Sequence, residues 1–280
     1  MTNSFHDVMV ATVLAGYDNI DPSWIVDLCL NGPMSFSRRV AVLAAALLGC
    51  AVPAVPANAV IGGAETTTGD YPWLAAVGTP LFLTRASGQF CGGELIAPDR
   101  VLTAAHCVEL ARLLPQTLTV TFDRSDLNSR EGTTVAVTAV RLHPGFRTDT
   151  VDGVDVYHHD IAVLTLAHPQ NRPIVPIASP SGGTATVLGW GGTSDGDESN
   201  TVLRRATVPM VSDADCTAAY PGAFDAAEMV CAGSTEADTG EFDSGGPLLV
   251  DGKLVGITSW ARGAALAGYP GVYARLPADF

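Results

Sequence analysis

"TTVAVTAVRL", Thr133 to Leu142, sets valine and leucine against threonine, alanine and arginine with a period of two. Side chains on a strand point alternately to opposite faces, so the pattern describes a strand with one buried face. It recurs in "QTLTVTF" (116–122), "IAVLTL" (161–166), "TATVLGW" (184–190) and "KLVGITSW" (253–260), with turn residues between the runs. Runs of this kind predict antiparallel strands and an all-β sandwich or barrel. Helical signals are few. "TAAHCVELARLL" (103–114) predicts a turn or two of helix, and "DADCTAAY" (213–220) has Ser212 or Asp213 available to cap its start. "HPQNRPIVPIASPSGG" (168–183) is rich in proline, lacks alternation and reads as a connector between two halves.

With 280 residues, 47% apolar and 16% charged, the chain has the make-up of a globular protein with a substantial core. Its net charge of −14 argues against a nucleic-acid partner, which needs clustered Lys and Arg to release counterions. The acidic balance suits solubility and favours cationic partners.

"SFSRRVAVLAAALLGCAVPAVPANA" (35–59) has a basic start at Arg38 and Arg39, a 13-residue apolar run and a small-residue close at Ala57-Asn58-Ala59. That is the layout of a secretory signal peptide, and the run is short for a membrane span. Met34 then reads as the start, with residues 1–33 an upstream extension, 34–59 the signal peptide and 60–280 the mature domain. A short cytoplasmic tail ahead of an internal signal is the alternative. "LLGC" at Leu47–Cys50 resembles a lipoprotein box that would lipidate Cys50, but its second leucine fits poorly. Ser37-Arg38-Arg39 resembles a twin-arginine signal, a pattern that any basic start produces. Ordinary secretion is expected. Beyond the leader four cysteines remain, Cys91, Cys107, Cys216 and Cys231, and an even count in an exported chain reads as disulfides. Spacing leaves all three connectivities open.

Acyl transfer by a serine needs a base for its proton, a buried carboxylate to hold that base, and N–H donors for the oxyanion. "TAAHC" supplies His106, "HDIAVLTL" supplies Asp160 and "DSGGP" supplies Ser244. In the order His, Asp, Ser these segments resemble the chymotrypsin–trypsin family of serine proteases. The α/β-hydrolases run Ser, acid, His and use G-x-S-x-G, a pattern that Phe242 breaks.

The resemblance covers 60–280. It implies two antiparallel six-stranded barrels, one over about 60–170 and one over about 183–280, with the active site at their junction. It further implies disulfides Cys91–Cys107 and Cys216–Cys231, and an oxyanion hole made by the N–H groups of Phe242 and Ser244. "VIGGAETTTGDYPW" (60–73) resembles the family's activated N-terminus, whose free Val60 ammonium would pair with Asp243 and order the oxyanion loop. With Ala57-Asn58-Ala59 directly upstream, signal peptidase itself would release that amine. Asp238 would lie at the base of the primary specificity pocket with Thr239 and Gly271, giving cleavage after Arg or Lys. Ser259 would help hold Asp160, and the stretch Ser259, Trp260, Ala261 would pair with the substrate backbone. The expected partners are protein or peptide substrates carrying Arg or Lys, together with protein inhibitors. A monomer is expected, without nucleic acid, cofactor or metal, and without a membrane unless Cys50 is lipidated.

Four departures stand out. Gly240 and Ala264 occupy places where the family usually has a disulfide, and Ala261 replaces a glycine at the pocket rim. The sequence stops at "VYARLPADF", where the family continues into a closing helix. Phe242 replaces the glycine whose N–H faces the oxyanion, which raises the alternative of a weak or inactive homologue acting as a binding protein. His143, His158 and His159 lack metal-ligand spacing and read as loop histidines. "DRSDLNSREG" (123–132) matches no calcium loop.

Overall fold

The computed structural model describes residues 60–276. The extension 1–33 and the signal peptide 34–59, with Cys50 and the Ala57–Ala59 cleavage pattern, lie outside the described residues. The chain lays down β1 (Ala64–Glu65), β2 (Leu74–Gly78), β3 (Gln89–Ala97) and β4 (Arg100–Thr103), then the short helix α1 (Ala105–Val108). β5 (Thr119–Phe122) and β6 (Thr133–Leu142) lead into a hairpin of β7 (Arg147–Val151) and β8 (Val154–His158), followed by β9 (Ala162–Leu166). After the connector come β10 (Thr184–Gly189), β11 (Arg204–Val211), α2 (Asp213–Ala219) and β12 (Met229–Ala232). β13 (Pro247–Val250), β14 (Lys253–Trp260) and β15 (Gly271–Arg275) complete the order.

Six antiparallel strands close a first barrel in the order β2-β3-β4-β9-β6-β5. The second runs β11-β10-β13-β14-β15-β12, closed by the β11–β12 pairing. β1 adds to the outer edge of β11, so the segment that starts at Val60 lies on the second barrel although it precedes the first in sequence. In β6, Val135 and Val137 face the core while Thr134, Ala136 and Thr138 are exposed, the alternation legible in the sequence. A register shift between Val137 and Ala139 opposite β9 is a bulge of the kind that curves a sheet into a barrel. Leu74, Leu95, Leu102, Phe122 and Leu164 fill the first core, and Val60, Val187, Val208, Leu248 and Tyr273 the second.

One local expectation holds and one shifts. The turn or two of helix expected within 103–114 is present as α1, followed by 3-10 turns at Leu110–Leu113 and Pro115–Thr117. Leu110 and Leu113 are 94% and 80% exposed, so no apolar face is buried to sustain a longer helix. Pro115 opens the second of these turns and delays β5 to Thr119. The connector holds no strand and touches the second barrel through a bridge from Ile177 to Leu254. Among the described residues no helix is long and apolar enough to cross a membrane.

Candidate active site

The register of β4 against β9 brings the first two candidates together. Thr103 pairs with Ala162, so His106, just beyond β4, and Asp160, just before β9, meet at the same end of the pair. Asp160 is wholly buried and has every partner it needs. The His106 backbone N–H donates to Oδ1 at 2.9 Å, His106 Nδ1 lies 2.7 Å from Oδ2, and Ser259 Oγ donates to Oδ2 at 2.5 Å. A carboxylate only accepts, so Nδ1 carries a proton and Nε2 is left free to accept one. The Tyr157 ring stacks on the imidazole at 4.4 Å and 11°, fixing its plane from the β8 side.

Ser244 arrives from the other barrel. Its carbonyl accepts from Gly92 N at 2.8 Å, which ties the loop ahead of β13 to β3. The next residue, Gly245, has φ 76°, and a Cβ there would meet Thr103 Oγ1 and Gly92 O, so only glycine fits. Ser244 and His106 line one cleft of about 700 Å³, though no hydrogen bond joins their side chains among the described residues. Phe242 holds φ 71°, the left-handed backbone that favours glycine. Neither the Phe242 N–H nor the Ser244 N–H has an acceptor among the described residues, which leaves both available to an oxyanion.

Asp238 is not the solvated loop acid that "TEADTGE" suggests by composition. It is 1% exposed, bridges to Ile61, and accepts from Thr239 N at 2.8 Å and Ala265 N at 3.0 Å. Burial pushes its carboxyl up to about 6 despite those two bonds, and no cation pairs with it among the described residues. A Cβ on Gly233 or Gly271 would come within 2.9 Å of its Oδ1, so both glycines keep room around the carboxylate. Thr239, Ser259, Trp260 and Ala261 line the cleft, as do the acidic Asp155, Asp195 and Glu241, whereas Asp238 and Gly271 are not among its lining residues.

Asp243 is buried beneath the same loop. It accepts from Gly191 N at 2.7 Å and Gly240 N at 2.9 Å, and burial pushes it up to about 7, with Arg85 acting in the opposite direction. A Cβ on either Gly189 or Gly191 would fall on this carboxylate, which explains the first two of the three glycines of "LGWGG". Val60 is buried in the second core and Ile61 pairs with Asp238, so the N-terminal segment sits beside the loop. No hydrogen bond joins Val60 to Asp243 among the described residues; in this chain the Val60 nitrogen is a peptide nitrogen that follows Ala59.

Residues 60–279 match the family described as Trypsin. The chain belongs to the trypsin family. It is similar to a trypsin from Saccharopolyspora erythraea, 40% identical over 79% of this chain and 95% of that one. Trypsin-1 from Astacus astacus is 36% identical over 78% of this chain and 95% of its own. Among solved structures, mouse neuropsin, a serine protease expressed in the limbic system, superposes with a TM-score of 0.66 at 32% identity. That match covers 77% of this chain and 94% of neuropsin. This trypsin-family chain is therefore a serine endopeptidase built on the double barrel. Disulfides Cys91–Cys107 and Cys216–Cys231 are both present.

Against the family pattern, the position of Gly240 has no room for a cysteine side chain, since a Cβ would approach Gly192 O at 2.7 Å. Ala264 instead donates its N–H to Asp195 at 3.4 Å. His143 and His159 lie in loops, as expected, whereas His158 is the last residue of β8. His158 is buried with Nδ1 2.5 Å from Glu228 Oε1 and Nε2 3.2 Å from Asp149, and His143 stacks on His159. The only cluster of metal-ligand type among the described residues is Cys91, His106 and Cys107, and its two sulfurs form a disulfide. Sequence reading missed Tyr157, Gln89 and Arg85. "VDGV" (151–154) did offer a signal for the hairpin that carries Tyr157: Asp152 and Gly153 take φ 50° and 77°, the tight turn favoured by Asp-Gly. For Arg85 and Gln89 there was none.

Proposed function

We propose that this protein is a secreted endopeptidase that cuts peptide bonds after Arg or Lys through an acyl-enzyme. The observation that carries the specificity is Asp238, a buried carboxylate next to the cleft-lining Thr239, with two N–H partners and no cation among the described residues. A guanidinium or ammonium entering the pocket would complete it. In the reaction, His106 Nε2 takes the Ser244 proton as Oγ attacks the scissile carbonyl, and Asp160 stabilises the imidazolium that forms. The Phe242 and Ser244 N–H groups receive the oxyanion, and His106 then protonates the leaving amine. The left-handed φ of Phe242 supports the active reading over that of a binding protein.

Export is supported by the signal-peptide layout of residues 34–59 and by the start of the family match at Val60. The test is hydrolysis of a small arginyl amide by protein that begins at Val60, beside Ser244→Ala. Turnover that vanishes in the variant is expected. Folded protein with no turnover would overturn this reading and favour a binding protein.

A further inference from the structure

A phenylalanine at φ 71° is strained and persists only where its surroundings over-determine it. Three contacts surround Phe242. Gln89 Nε2 donates to the Phe242 carbonyl at 3.0 Å, the Phe82 ring lies 6.2 Å away, and the Arg85 guanidinium sits over the Phe242 ring at 4.0 Å from its centroid.

Arg85 is the anchor of this group. It is 7% exposed and has no carboxylate in ion-pair contact among the described residues. Instead Nη2 donates to Gln89 Oε1 at 2.8 Å and to Trp190 O at 3.0 Å, Nη1 donates to Glu198 O at 2.5 Å, and Nε reaches the same Gln89 oxygen at 3.2 Å. A guanidinium has donors only, so the Gln89 amide must turn its oxygen toward Arg85. Its NH₂ is then forced toward the carbonyls of Phe242 and Cys91, which are 3.0 and 3.3 Å away. One buried cation thus orients the hydrogen bond to the Phe242 peptide and holds the Phe242 ring from above. Taking a cation out of water is costly unless its donors are met, and here carbonyls, an amide oxygen and an aromatic face meet them.

We infer that Arg85 is a positioning residue for the oxyanion hole, acting through Gln89 and the Phe242 ring to fix the Phe242 peptide where the family's glycine needs no such support. This inference rests on the reading of Ser244 as nucleophile. Two findings separate the two failures: Ser244→Ala that keeps full turnover defeats that reading, whereas an Arg85 variant with unchanged turnover, beside a silent Ser244→Ala, defeats only the inference.

The experiment is a double-mutant cycle of Arg85→Met and Phe242→Gly on the chain that begins at Val60. Arg85→Met alone is expected to lower kcat about 10²-fold, the effect of losing one oxyanion donor, with KM within about threefold. The affinity of a peptidyl boronate, which mimics the oxyanion, should fall in step, while that of benzamidine, which fills only the specificity pocket, should hold. In the Phe242→Gly background the same Arg85→Met change should cost less than about threefold, because glycine takes the left-handed backbone unaided. An equal loss in both backgrounds, or parallel losses of boronate and benzamidine, would make Arg85 merely structural and overturn the inference. If Arg85→Met fails to fold, Gln89→Leu carries the same cycle with the guanidinium left in place.

Discussion

Asp238 holds a carboxyl pushed up to about 6 by its burial, so it is ionised above that value and neutral below it. A cationic substrate binds the ionised form. The kcat/KM for an arginyl amide should therefore fall more steeply as pH drops through about 6 than that for an apolar substrate, which shares every other titration of the enzyme, and Asp238→Ser should remove the difference. The same variant leaves an incoming guanidinium unpaired. Its loss against arginyl substrates should be on the order of 10²–10⁴, from about 3–5 kcal/mol for breaking a buried pair. An apolar substrate should be hydrolysed at nearly the original rate, and comparing the two is the check.

Glu94 poses the opposite case. It is fully buried on β3, neither carboxylate oxygen has a partner among the described residues, and burial raises its carboxyl well above the ordinary value. The folded state holds this proton more tightly than the unfolded one, so its contribution to stability is lost as pH rises. Glu94→Met should stabilise the protein by about 1–3 kcal/mol at pH 8, with the gain shrinking in acid, as thermal unfolding at the two pH values would show.

At the scale of elements, the β7–β8 hairpin leaves the first barrel to pack on the second. Val156 is buried among Cys216, Tyr220 and Trp260, and Tyr157 beside it reaches His106. Glu228, one residue before β12, fastens the end of β8. It faces His158 Nδ1 and accepts from the His159 N–H at 2.8 Å, immediately before Asp160. Glu228→Ala should orphan both groups and cost about 1–3 kcal/mol in a denaturant titration. Asp152→Asn at the hairpin turn keeps a residue that tolerates φ 50° and should change stability by less than about 0.5 kcal/mol.

Across the whole molecule the candidate site exists only because two barrels supply different parts of it. His106 and Asp160 come from the first, and Ser244, Asp238 and Ser259 from the second. The N-terminal segment from Val60 lies on the second barrel, its Ile61 paired with Asp238. The Asp243 carboxyl, pushed up to about 7 by burial, ionises at a cost unless a cation meets it. Protein that carries one extra alanine before Val60 should lose stability, relative to protein that begins at Val60, as pH rises from 3.8 to about 7. Its kcat/KM should also be lower, and unfolding and turnover measured on the two forms over that range would show both effects.

The period-two runs were enough to read the all-β class, because alternation is local and each strand buries one face. His106, Asp160 and Ser244 were legible as chemistry because each sits in a short stretch whose neighbours are also constrained, as Gly245 is by its backbone. The β7–β8 hairpin was less so, since its charged alternation conceals a strand whose buried side faces the other barrel. The resemblance pointed to Asp238 and Phe242, but the hydrogen-bond partners of the one and the backbone angle of the other were not legible. Both depend on groups far away in sequence: Ala265 and Ile61 for the one, Arg85 and Gln89 for the other. The sequence by itself determined which residues could do the chemistry, through local pattern. Only the tertiary structure decided whether they are buried, paired and held in place, because desolvation and backbone strain are set by neighbours that folding brings together.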